Sequence, residues 1–129
     1  MGSDERRSDE TVADRWDRVL RQLSAEPRRQ VLAALLEAPP DSRLAVPEGV
    51  VPAGSSIDPE ALSVQLRHCH LPTLADAGYV VYDDAPFTVA RGPNFDEVAA
   101  PLELARNGTA ELPADLVDGY PILDPTATE

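Results

Sequence analysis

After three stretches of helical periodicity the chain changes character at Tyr79. Two β-rich runs follow, Tyr79-Val80-Val81-Tyr82 and Phe87-Thr88-Val89, around the short polar turn Asp83-Asp84-Ala85-Pro86. Two such runs about a turn predict a β-hairpin. That switch sets the expected fold class: mostly α with a small β-hairpin, an α+β domain. A chain of 129 residues makes one domain of moderate core, with room for a tail. Aromatic residues are only 5%, so the core is expected to be aliphatic.

The helices are read from spacing and punctuation. Val12, Trp16, Val19, Leu20 and Leu23 recur on one face of a helix over 10–23, with Asp9 as a plausible cap. Asp14–Arg18 and Asp17–Arg21 have the spacing of exposed helical ion pairs. Ser24 can cap a second helix over 25–37, with Pro27 in its first turn and Val31, Leu32, Leu35 and Leu36 buried. Pro39-Pro40 ends it. Leu44-Ala45-Val46 fits a short strand, whereas Pro47, Gly49, Pro52 and Gly54 break any regular helix in 41–57. Asp58 and Pro59 open a third helix, 58–77, which Pro72 should kink near His70–Leu71 before Gly78 ends it. Past the hairpin, Asn94 can cap a last helix over 94–106, with Phe95, Val98, Leu102 and Ala105 inward and Pro101 as an obstacle. The expected organisation is a disordered N-terminus (1–9), a domain over 10–93, a C-terminal helix (94–106) and an acidic, Pro-containing surface or disordered tail (107–129).

A three-helix core that feeds a hairpin is the order of a winged helix-turn-helix. The most specific string, Leu66 to Asp83, contains His68-Cys69-His70-Leu71-Pro72 and Ala77-Gly78-Tyr79-Val80-Val81-Tyr82-Asp83. It resembles the end of the recognition helix and the start of the wing in ArsR-like winged-helix regulators, and a haloarchaeal subgroup of these domains most of all. Leu23-Ser24-Ala25-Glu26-Pro27-Arg28-Arg29 is loosely similar to the opening of such domains. The resemblance covers about 12–92. It departs in 41–57, where the family has the helix that braces the recognition helix. It implies a DNA-binding transcriptional regulator with helix 58–77 in the major groove and the hairpin as wing.

Charge bears on this independently. There are 23 acids against 11 bases, all of them arginine, and the net charge is -12. Such an excess keeps a protein hydrated but opposes its folding until salt screens the repulsion. It fits a salt-rich cytoplasm, as in a halophilic archaeon. Residues 11–93 carry eleven acids and eight arginines, whereas 94–129 carry eight acids and one arginine. One cysteine, Cys69, excludes an internal disulfide and fits a reducing cytoplasmic compartment. No apolar stretch has the length of a membrane span, and the first residues lack the form of a signal peptide.

Binding DNA needs cations for phosphates and polar groups at base edges. The candidates are Ser63, Gln65, Arg67 and His68 on the third helix, Arg28 and Arg29 at the start of the second, and Arg91 after the wing. The third helix has Arg67 alone against Asp58, Glu60 and Asp76, a thin electrostatic footprint. The alternative is a degenerate winged helix that contacts protein and not DNA. A homodimer is expected, through the first helix with Trp16 or through the 94–106 helix. His68 and His70, two apart on a helix, point in different directions and make no metal pair, so one should pack inside and one face solvent. Cys69 is expected as a small core residue beside Leu62 and Leu66. No phosphate loop, nucleophile motif or paired carboxylates are present, so no enzyme, catalytic residue, metal or cofactor is expected.

Overall fold

The computed structural model describes residues 10–51 and 57–124. Asp9, Pro52 and Gly54 lie outside them, as does the expected N-terminus 1–9. The elements in chain order are α1 (Val12–Leu23), α2 (Glu26–Glu37), β1 (Leu44–Ala45), α3 (Pro59–Gln65), a π turn (Leu66–His70), α4 (Leu71–Asp76), β2 (Val80–Asp84), β3 (Phe87–Arg91) and α5 (Phe95–Asn107). Two short 3₁₀ turns follow, Thr109–Glu111 and Ala114–Leu116. The architecture is α+β: helices around a three-stranded antiparallel sheet in the order β1-β3-β2.

The helix starts follow capping chemistry. Thr11 caps α1: its hydroxyl accepts from the Asp14 N–H at 2.9 Å, and the Asp14 carboxylate accepts from the Thr11 N–H at 3.1 Å. Ser24 does not cap α2. It ends α1, and its hydroxyl donates to the Arg21 carbonyl, while Ala25 stands at the N-cap of α2 with no side-chain bond. The loop is too short for Ser24 to serve both helices. Asp58 caps α3 through the Glu60 N–H.

The segment α3–π turn–α4 is one helical path with an inserted residue. Its buried positions are Leu62, Leu66, Leu71 and Leu74, so the step from Leu66 to Leu71 is five residues where an α-helix would take three or four. The Leu71 N–H bonds the Leu66 carbonyl, as a π turn requires. Pro72 explains it: in a regular helix its ring would meet the carbonyl four residues back. The expected irregularity is therefore a widened turn that begins at Leu66. The same insertion turns Cys69 outward, so the cysteine is exposed and not a core residue.

The hairpin forms as expected, with Val80 opposite Arg91 and Asp84 opposite Phe87. Its base depends on two glycines. Gly78 has φ +78°, and a side chain at Gly92 would come within 2.5 Å of the Gly78 carbonyl. That approach lets the Gly92 N–H reach the Tyr79 carbonyl and the Asn94 N–H reach Gly78. The short strand expected at Leu44 pairs Leu44 with Val89 and Ala45 with Thr88. Beyond it the breakers Pro47 and Gly49 form a tight turn that buries Val46 and Val50.

The core is aliphatic, with Val31, Leu32, Leu35, Leu66, Leu71, Leu74 and Val98 essentially inaccessible and Tyr79 and Phe95 added. The segment after α5 is packed and not loose as far as Asp124: Ile122 is buried, and Tyr120 and Leu123 pack against the core. The largest departure is on α1. Val19 is buried, but Val12, Trp16 and Leu20 are 68%, 49% and 57% exposed. No helix among the described residues is long and apolar enough to cross a membrane.

Candidate nucleic-acid interface

The outer face of α3 and the π turn presents Gln65 and His68 to solvent, with Ser63 and Arg67 half-buried beside them and Val64 exposed between. The hairpin tip lies next to this face. Arg67 shows the contact: its guanidinium donates to Asp84 at 3.0 Å and stacks 4.0 Å over the Phe87 ring. Of the four candidates on the helix, Arg67 thus shares a surface with the hairpin, while Ser63 and Gln65, two apart on α3, point to different sides of it. That surface is acidic at the tip, where Asp83 and Asp84 are both exposed.

The other three arginines are not on it. Arg28 donates from Nε to the Gln22 carbonyl at 2.8 Å and from Nη2 to the Arg21 carbonyl at 3.0 Å, closing the end of α1. Its Nη1 lies 3.0 Å from Nδ1 of His70, which accepts from it. Arg29 donates to the Leu23 carbonyl and to the Tyr120 hydroxyl, the latter at 2.7 Å. Arg91 donates to the Leu35 carbonyl at 2.8 Å and the Ala38 carbonyl at 3.2 Å, and lies 4.8 Å over the Phe95 ring. Each donates to carbonyls at the end of a helix, where intrahelical donors run out.

The remaining arginines follow the same pattern. Arg43 pairs with Asp83 at 2.9 Å. Arg106 pairs with Glu37 and donates to the Ile122 carbonyl. Arg18 pairs with Glu10 and Glu97, and Arg15 with Glu97. Among the described arginines Arg21 alone has no ion pair or side-chain hydrogen bond. The expected Asp14–Arg18 pair does not form, because Asp14 caps the helix and Arg18 reaches Glu97.

Glu97, on α5, joins α1 to Tyr79, the residue that precedes β2. The buried Tyr79 hydroxyl donates to its Oε1 at 2.7 Å, and Arg18 donates to the same oxygen at 3.1 Å. Burial pushes the Glu97 carboxyl up, but these two hydrogen bonds and the charges of Arg18 and Arg15 outweigh it and hold it below the usual carboxylate range. Burial, then donation to Glu97, pushes the Tyr79 phenol up to about 12. Burial and the Arg28 charge lower the His70 pKa, so its ring is a neutral acceptor. His68 is exposed, which gives the inward and outward pair expected for two histidines two apart. This knot was not visible in the sequence, since its members lie up to 82 residues apart.

Comparison with protein-family models, curated proteins and solved structures finds no match.

Proposed function

We propose that the chain is a regulatory domain of winged-helix type that works by contacting protein and does not read DNA. Its element order supports the fold: two helices, an edge strand, a recognition-like helix and a hairpin wing, then a closing helix. One observation carries the functional reading. Arg28, Arg29 and Arg91, the cations expected to meet phosphates, spend their guanidinium groups on main-chain carbonyls inside the fold. Phosphate binding would require releasing them, and the wing tip offers Asp83 and Asp84 in their place. The net charge of the chain is -12. That suits a salt-rich cytoplasm.

A second reading has its own support. Gln65 and His68 are exposed on the recognition-like helix, and such side chains reach base edges. At molar salt counterion release adds little, so a reader of DNA there needs fewer cations. The two readings separate in one assay: binding of the purified chain to its own upstream DNA, from about 0.2 M to about 2 M KCl. The protein-contact reading expects no sequence-specific complex at any salt. A specific complex that Gln65→Ala or His68→Ala abolishes, in a protein that keeps its fold, overturns it in favour of the regulator.

A further inference from the structure

We propose that Arg18 and Arg15 form a binding site for a small zwitterion of the α-amino acid class, and that Glu10 occupies its carboxylate position in cis. The inference goes beyond the protein-contact reading and does not depend on it. It starts from the way Arg18 is held. The Glu97 carboxylate takes the Nε–Nη2 edge of its guanidinium, at 3.2 Å and 3.1 Å. The buried Tyr79 hydroxyl holds the same Glu97 oxygen at 2.7 Å. One edge is therefore fixed from inside the fold, and the planar fork then fixes the direction of the other.

That other edge, Nη1–Nη2, meets both carboxylate oxygens of Glu10, with Nη2 3.1 Å from Oε1. Two parallel N–H donors on one carboxylate are the form in which a guanidinium recognises any carboxylate. Glu10 is a loosely held occupant. It precedes the Thr11 cap and so lies outside α1, and among the described residues its ion pair is with Arg18 alone. The Glu10 side chain is 34% exposed and that of Arg18 30%, so exchanging Glu10 for another carboxylate keeps the ion pair and loses little else.

The surroundings have room for the exchange. A cavity of about 510 Å³ opens here, lined by Glu10, Arg15, Arg18, Asn94, Asp96 and Glu97. Small-molecule sites have this size. Arg15 adds a second guanidinium, 55% exposed, whose contact with Glu97 is long at 3.4 Å. Asp96 is exposed on the α5 side and forms no ion pair among the described residues. With Glu10 displaced, the lining offers guanidinium groups from α1 and a carboxylate from α5. One carboxylate and one ammonium on the same ligand match both, whereas a dicarboxylate or a phosphate brings a second negative charge toward Asp96. The tether gives Glu10 an effective concentration of about millimolar or more, so only an abundant solute displaces it.

The full chain is titrated with L-alanine, propionate and succinate to about 100 mM in about 1 M KCl. Binding is followed by the NMR signals of the Arg15 and Arg18 Nε–H groups, which leaves Arg18 in place to hold Glu97. Glu10→Gln opens the site at a residue outside the helices and should keep the fold. In that variant L-alanine should shift the Arg18 signal saturably, at a concentration about tenfold lower than in the parent, and bind about tenfold tighter than propionate or succinate. Arg15→Gln should weaken alanine about three- to tenfold, and Asp96→Asn should remove its advantage over propionate. A folded Glu10→Gln chain in which none of the three moves the Arg18 signal overturns the site. Equal affinity in the parent and Glu10→Gln overturns the role of Glu10. Succinate as the tightest ligand, or an alanine preference that survives Asp96→Asn, overturns the zwitterion.

Discussion

Replacing Arg91 with alanine separates an internal clamp from a phosphate contact. Arg91 ends the second hairpin strand, where a DNA-binding cation is expected, but it donates to the carbonyls of Leu35 and Ala38 and covers the Phe95 ring. Leu35 belongs to the last turn of α2, whose carbonyls have no partner within the helix. A hydrogen bond from a charged donor contributes about 1.5–3 kcal/mol, and a partly exposed cation–π contact about 0.5–1 kcal/mol. Arg91 is only half-buried, so water replaces part of what is lost. Arg91→Ala should therefore destabilise by about 2–3 kcal/mol, a fall in Tm of roughly 10 °C for a domain of this size. Arg91→Lys should recover less than half, because one ammonium cannot span two carbonyls as the planar fork does. The assay is thermal and urea unfolding followed by circular dichroism at molar KCl. Arg67→Ala is the contrast: its side chain is 36% exposed and its partner Asp84 is 68% exposed, so the cost should stay near or below about 1 kcal/mol. An Arg91→Ala protein within about 0.5 kcal/mol of the parent would refute the clamp and return Arg91 to the surface.

Three further changes test other parts of the fold. Tyr79→Phe removes the hydroxyl that donates to Glu97 and should cost about 1–2 kcal/mol in urea unfolding; no loss would mean the Glu97 knot contributes nothing. Gln22 is 7% exposed and its side-chain oxygen has no hydrogen-bond partner, so Gln22→Met should stabilise by about 0.5–1 kcal/mol, and a loss of stability would show that oxygen to be satisfied. The lowered pKa of His70 makes protonation costlier in the folded than in the unfolded chain. Stability from this group is therefore complete above the ordinary histidine value of about 6.5 and declines as the pH falls below it toward the lowered folded value. His70→Gln keeps an acceptor for Arg28 without a titration, so it should flatten that part of the urea-unfolding profile; an unchanged slope would place the titration elsewhere.

The legible parts of the fold were those set by local chemistry. The hairpin, the strand at Leu44 and the boundaries at Pro39-Pro40, Asp58 and Gly78 follow from residues whose backbone preferences act over a few positions. The α1 face was only half legible. Periodicity finds Val12, Trp16, Val19 and Leu20 on one side of a helix, but not whether the same chain covers them, and α5 covers no more than the Val19 edge. The phase after Leu66 was hidden because Pro72 could be met by a kink, a break or a widened turn, and only the widened turn moves Cys69 to the surface. The packed segment after α5 was hidden for another reason: it is held by isolated anchors, Tyr120 on Arg29 and the Ile122 carbonyl on Arg106, with no periodic signal between them.

The arginines were the least legible of all, and the reason is chemical. A guanidinium near a helix terminus serves a phosphate or a carbonyl with the same donors, so sequence position does not choose between them. What chooses is the supply of competing acceptors. Arg28 sits in the first turn of α2, directly after the end of α1, where the carbonyls of Arg21 and Gln22 lie within reach. Arg91 leaves β3 beside the end of α2. In a chain with 11 bases and 23 acids, all the described arginines but Arg21 find anions or carbonyls within the fold before any partner arrives. Arg21 escapes because it points away from the fold, on the helix whose Val12, Trp16 and Leu20 also stay open to solvent. The cation left unpaired and the apolar surface left open are thus on the same helix.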